Sequence, residues 1–135
     1  MFQALRKWLL SLPQTAGFAR PEHLRTGAAA EKQAERFLQK QGLRILARNY
    51  KTPGRGGGEI DLIAQDGDTL VFVEVRQRSR QDYGGAAASV GRAKQKHLHF
   101  AAQRYLQALS TLPPCRFDVL AVDGEQVEWL RAAFD

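Results

Sequence analysis

Apolar positions recur along the chain with two periods, and the changes of period mark its elements. In residues 27–41, GAAAEKQAERFLQKQ, the side chains of Ala30, Ala34, Phe37, Leu38 and Gln41 share one helical face, and Gly42 supplies a stop. Leu43 to Asn49 predicts a strand, and YKTPGRGGG (50–58) a flexible loop. EIDLIAQ and TLVFVEVR then alternate as two strands around Asp66-Gly67-Asp68, a hairpin signal. A polar, small-residue loop (78–88) leads into a helix over 89–109 with Val90, Leu98, Ala101, Ala102, Tyr105 and Leu109 on its buried side. Pro113 and Pro114 break it. Arg116–Val122 and Gln126–Leu130 form a second hairpin around Asp123-Gly124. The order of helix, three strands, helix, two strands implies an α/β domain with helices on a mixed sheet.

The beginning of the chain reads differently. In MFQALRKWLLSLP, Phe2, Leu5, Trp8, Leu9 and Leu12 have helical spacing, and Arg6 and Lys7 interrupt the apolar run. The segment is no secretory signal. It predicts a short amphipathic helix that packs on the domain, on a protein partner through residues 1–13, or loosely on a membrane surface. Residues 1–25 are therefore expected to be an N-terminal segment and linker, and 26–135 a single domain. No run approaches the ~20 apolar residues of a membrane span, so no integral membrane association is expected.

The hairpin places two acids together. Burying Ile60, Leu62 and Ala64 with Val71, Val73 and Val75 fixes the register, because a one-residue slip exposes one set. Asp61 and Glu74 then fall on the opposite face. With Gly67-Asp68 as the turn they lie directly across from each other; with Asp66-Gly67 they are diagonal neighbours. Opposed like charges destabilise a sheet, so a cation, a shared proton or solvent must compensate. Two carboxylates beside Arg76 suit Mg²⁺ or Mn²⁺, which prefer oxygen ligands. The plainer alternative is that Glu74 pairs with an arginine at a wet strand end.

Charge adds a partner. The net charge is +6, and it is uneven: residues 76–104 hold 7 Lys/Arg against 1 Asp/Glu, whereas 105–135 hold 2 against 5. A basic middle fits polyphosphate or anionic lipid, or simply a solvated face. Lys94 lies on the buried stripe of Leu98, Ala101 and Tyr105, from where it reaches a phosphate across the sheet or snorkels past the core. Arg92, Lys96 and His99 share another side and could contact backbone phosphates. Arg78, Arg80 and Tyr83 on the loop could clamp a strand or stack on a base. The single cysteine, Cys115, excludes a disulfide framework within one chain and points to a reducing, cytoplasmic setting. Asp118 reads as structural, and Trp129 and Phe134 as packing residues.

Together, GxxxE (27–31), GGGEIDLIAQD (56–66), LVFVEVRQRS (70–79), YGGAAASV (83–90), KQKHL (94–98), CRFDVLAV (115–122) and VEWLRAAF (127–134) resemble the YraN family, small bacterial proteins of uncharacterised function described as endonuclease-like. The acid on one strand followed by Glu-x-basic on the next is similar to the PD-(D/E)XK nuclease superfamily. The resemblance implies a restriction-endonuclease-like fold with an αβββαβ core. It also implies Mg²⁺- or Mn²⁺-dependent hydrolysis of phosphodiesters in DNA, with branched or damaged forms among the substrates as for Holliday junction resolvases. It casts Asp61 and Glu74 as the paired acids, Glu31 as a helix acid added as a further ligand, and Arg76 in the place of the superfamily lysine. Glu59, on Asp61's face, is a reserve ligand. Arginine stays charged and cannot act as a general base, so Arg76 is restricted to charge stabilisation. The alternative is a non-catalytic nucleic-acid-binding adaptor, and a homodimer is compatible with either.

Overall fold

The computed structural model describes residues 22–54, 57–77 and 90–135. Its elements run α1 (Glu22–Lys40), β1 (Arg44–Lys51), β2 (Glu59–Asp66), β3 (Thr69–Gln77), α2 (Arg92–Gln107), β4 (Cys115–Asp123) and β5 (Gln126–Phe134). One sheet holds the strands in the order β1-β2-β3-β4-β5. β3 and β4 are parallel, with α2 as the connection between them, and the other neighbours are antiparallel. This is the α/β arrangement that the pattern implied, and it is consistent with the restriction-endonuclease-like fold that the resemblance implied. The amphipathic segment 1–13 and the loop residues Arg78, Arg80 and Tyr83 lie outside the described residues. No described helix is long and apolar enough to cross a membrane.

Local chemistry fixes the element ends. Gly42 adopts φ 94°, and the amides of Gly42 and Leu43 return to the carbonyls of Gln39 and Leu38 at 3.0 Å each. That is a Schellman stop, which only a residue without a Cβ adopts cheaply. Asp66 pairs with Thr69, so Gly67-Asp68 is the turn. Gly67 alone has positive φ, at 62°, the pattern of a II′ hairpin. Asp123 pairs with Gln126 and Gly124 has φ 60°, so the second hairpin repeats the device.

The two sheet faces carry separate cores. On the α2 face, Ile63, Leu70, Phe72, Val119 and Ala121 pack against Leu98, Ala101 and Tyr105. On the α1 face, Leu62, Ala64, Val71, Val73 and Leu120 pack against Ala34, Leu38 and Leu43. Burying each large side chain contributes about 1.5–3 kcal/mol, so both helices are held by their apolar stripes.

Several sequence expectations need correction. α1 opens at Glu22, inside the stretch read as linker, and closes at Lys40, leaving Gln41 exposed beyond it. α2 covers only Arg92–Gln107, with Val90 buried ahead of it. β5 extends to Phe134 rather than stopping at Leu130. Ile60 does not share a face with Leu62 and Ala64; it joins the α2-side core. The cause is Asn49, which adopts φ 51° between the ladder pairs Arg48↔Leu62 and Tyr50↔Ile60. This left-handed residue resets the alternation of β1. Ala47 and Tyr50, three apart, both pack toward α2, and their partners Ile63 and Ile60 do the same.

The glycine stretch is also no free loop. A Cβ on Gly58 would stand 2.0 Å from the His97 carbonyl oxygen, so the bare backbone lets the start of β2 seat against α2. The Thr52 hydroxyl accepts from the Gly58 amide at 2.7 Å, and the Thr52 amide donates to the Gly58 carbonyl at 3.0 Å.

Candidate functional site

The β2–β3 register continues from Asp66↔Thr69 to Leu62↔Val73. Extended by one position it sets Asp61 across from Glu74, the closer of the two arrangements open from the sequence. The ladder's pairing stops at this point, where Asn49 has turned β1. A side chain takes over from the backbone: Asp61 Oδ2 accepts a hydrogen bond from the Val75 amide at 2.8 Å. The carboxylate thus has a fixed orientation at a splayed strand end.

Glu74 is 5% exposed, pointing to the α2 side between Phe72 and Arg76. Its Oε1 lies 3.5 Å from Arg76 Nε and 3.7 Å from Lys94 Nζ. Lys94 therefore does reach the site from its helix, as its place on the buried stripe suggested. Neither distance is a hydrogen bond. Glu74 Oε2 and Arg76 Nε are both buried and find no hydrogen-bond partner among the described residues. A buried polar atom left unpaired costs on the order of 1–3 kcal/mol, and these two, one acceptor and one donor, belong to residues two apart on β3.

Electrostatics marks the same spot. Burial, followed by the negative charge of Asp61, pushes Glu74 up to about 7, against the pull of Lys94 and Arg76. Asp61 is raised by burial and by Glu59, with the Val75 amide, Lys94 and Arg76 opposing. Glu31 reaches in from α1 and is also pushed up to about 7, by burial first and then by Asp61 and Glu59. Burial is the leading cause in each case, and the neighbouring carboxylates add to it.

The structure thus brings together Asp61, Glu74, Arg76 and Lys94, with Glu31 and Glu59 at the margin. It places Arg92 and Lys96 elsewhere, exposed on α2 beside His99 around a separate depression. No group of three His, Cys, Asp or Glu side chains among the described residues converges tightly enough to hold a metal ion. Glu31 adjoins the Asp61–Glu74 pair, its side chain hydrogen-bonded to Asp61. Asn49 is the contributor that sequence reading overlooked. The Asn49 side chain hydrogen-bonds to Glu31 and pulls its pKa down, against the larger upward push of burial, Asp61 and Glu59. Its signal was available: asparagine is among the few residues other than glycine that tolerate positive φ, and it stands where a strand meets a glycine-rich stretch.

Two carboxylates, one with a spare buried oxygen, fit a divalent cation. Mg²⁺ usually takes one or two protein carboxylates and keeps water or phosphate oxygens for its remaining positions. The arrangement can also hold a phosphate, because Arg76 and Lys94 converge on its rim.

The model of the uncharacterised protein family UPF0102 matches residues 30–122, which contain every residue of this site. A UPF0102 protein of Paracidovorax citrulli is 61% identical over 110 residues, covering 81% of this chain and 82% of its own length. One from Janthinobacterium sp. is 54% identical over 120 residues, covering 87% and 95%. One from Polaromonas sp. (strain JS666) is 49% identical, covering 96% of each chain.

Proposed function

The chain belongs to the uncharacterised protein family UPF0102, and we propose that it is a divalent-cation-dependent endonuclease acting on DNA, including branched or damaged forms. The observation that carries this reading is the pair of buried atoms without a hydrogen-bond partner among the described residues, Glu74 Oε2 and Arg76 Nε, at the meeting point of Asp61, Glu74 and Lys94. A structural ion pair would have satisfied them. A site waiting for a cation and an anionic oxygen leaves them open.

Asp61 and Glu74 would hold Mg²⁺ or Mn²⁺, with Glu31 and Glu59 adding negative field at the margin. Such an ion supplies water activation and stabilises charge on a phosphoryl group. Arg76 and Lys94 grip the non-bridging oxygens of the scissile phosphate, and Arg76 can do so through two parallel N–H bonds. Arg76 stays protonated throughout and takes no part in proton abstraction. Arg92 and Lys96 lie along the same helix as Lys94 and suit contacts to neighbouring phosphates.

The replacement of the superfamily lysine by Arg76 favours a second reading, an adaptor that binds nucleic acid without cutting it. A cleavage screen separates the two. Linear, single-stranded, flapped and four-way DNA are incubated with Mg²⁺ or Mn²⁺ beside the Asp61→Ala and Glu74→Ala variants. The nuclease reading expects cleavage of at least one form, lowered about 100-fold or more in both variants, with DNA affinity nearly unchanged. Robust cleavage by either variant defeats the assignment. Salt-sensitive binding with no cleavage of any form supports the adaptor.

A further inference from the structure

Two consecutive residues of β1 face α1. Side chains of a regular strand alternate between faces, yet Arg48 donates to Glu35 from Nε at 2.9 Å and from a second nitrogen, and the next side chain, Asn49, hydrogen-bonds to Glu31. Glu31 and Glu35 stand about one turn apart on α1. Ala47 and Tyr50, on either side, pack toward α2. The left-handed backbone of Asn49, φ 51°, turns the two neighbours to the same side. That conformation is unfavourable for a residue with a Cβ, and backbone strain of this kind collects at functional sites. Asn49 falls between the pairs Arg48↔Leu62 and Tyr50↔Ile60, an interval that Asp61 occupies on β2.

From Asn49 the hydrogen bonds run in a line toward the paired acids. The Asn49 side chain bonds to Glu31, and a second hydrogen bond joins Glu31 to Asp61. Asp61 Oδ2 in turn accepts from the Val75 amide at 2.8 Å. Asp61 is thereby held from β3 on one side and from α1 on the other. Resting on the reading of Asp61 and Glu74 as a cation site, we infer that Asn49 is a positioning residue: acting through Glu31, it fixes the Asp61 carboxylate in the orientation that receives a divalent cation. The side chain carries this role separately from the kink, because the Arg48–Glu35 pair ties β1 to α1 independently. Groups that orient a metal-binding carboxylate from outside change metal affinity by about 10- to 100-fold. Asn49 is itself exposed, which places it at the low end of that range.

The test uses the full-length chain and two readouts: Mn²⁺ affinity, and hydrogen exchange of the Val75 amide measured without metal. Asn49→Gly keeps a residue that adopts positive φ freely and removes only the side-chain amide. Its melting temperature should stay close to wild type, while Mn²⁺ affinity falls about tenfold and the Val75 amide exchanges faster. Asn49→Ala loses both features and should add a lower melting temperature. In a Glu31→Ala background, Asn49→Gly should change neither readout further, because its path to Asp61 is already gone. Wild-type affinity and exchange in Asn49→Gly would overturn the inference and leave Asn49 a backbone role alone. A full further loss in the Glu31→Ala background would overturn it as well. The cation reading fails separately: a wild-type chain that takes up no Mn²⁺ yet shows the coupled change at Val75 keeps the positioning of Asp61 and loses the ion. A chain whose Mn²⁺ binding ignores Asn49→Gly keeps the ion and loses the positioning residue.

Discussion

Among the described residues two charged side chains are buried, Asp118 at 0% exposure and Glu74 at 5%, and they are treated in opposite ways. Asp118 on β4 accepts from Arg116 Nε at 3.0 Å, from Trp129 Nε1 at 2.9 Å and from the Ala132 amide at 2.9 Å. Ala132 has φ 49°, and the register of β4 and β5 shifts between Phe117 and Val119. The acid thereby pins an irregular strand end. Glu74, one strand away on β3, has two cations near one oxygen and, among the described residues, no hydrogen-bond partner on the other. The first carboxylate is completed by the fold; the second is left incomplete by it. A buried acid is costly unless paired. The difference between a finished and an unfinished environment therefore separates a structural charge from a functional one.

That contrast can be broken by substitution. Asp118→Ala strands three donors and is expected to cost about 3–5 kcal/mol of unfolding free energy, read by denaturant titration; a loss near zero would remove the distinction. Glu74→Gln should do the reverse. At pH 8 it relieves a carboxylate forced to ionise beside Asp61, so a gain of about 1–3 kcal/mol is expected, and destabilisation there would contradict the unfinished-site account.

The pH dependence has a definite sign. Glu74 and Glu31 are held at about 7 in the folded chain, above the ordinary carboxylate value of 4.5. The folded state therefore keeps protons that the unfolded state releases between those values. Their contribution is fully present below about pH 4.5 and is lost as pH rises through about 7. Melting temperatures followed across that window should show this decline, and Glu74→Gln should flatten part of it. The smallest effect is expected from Arg76→Lys. It keeps a cation at a partly exposed partner, and stability should stay within about 1 kcal/mol of wild type.

How far the sequence could be read depended on how local each cause was. The β2–β3 alternation and the Asp-Gly turn left Glu74 either directly across from Asp61 or diagonal to it, and only the pairing of Asp66 with Thr69 decides for the first. Gly42 as helix stop and Lys94 on the inward stripe were legible, because each rests on a periodicity of a few residues. Glu31 could be put at a helix edge but not at a distance from Asp61, which depends on how α1 sits on the sheet. The kink at Asn49 showed only in the residue type, not in the apolar pattern. One residue at positive φ leaves no trace in an apolar pattern, and it moved Ile60 to the other core. Gly57-Gly58 was misread as flexible because glycine marks a free turn and a close approach with the same letter, and only the packed His97 carbonyl separates the two.

The central claim is that Asp61 and Glu74 form a place for a divalent cation. Direct titration of the full-length chain with Mn²⁺ at pH 8, followed by the loss of the free-ion electron paramagnetic resonance signal, measures it without requiring a substrate. The account predicts binding to the wild-type chain that is lost in both Asp61→Asn and Glu74→Gln. Equal Mn²⁺ uptake by wild type and both variants, or none by wild type, would contradict it.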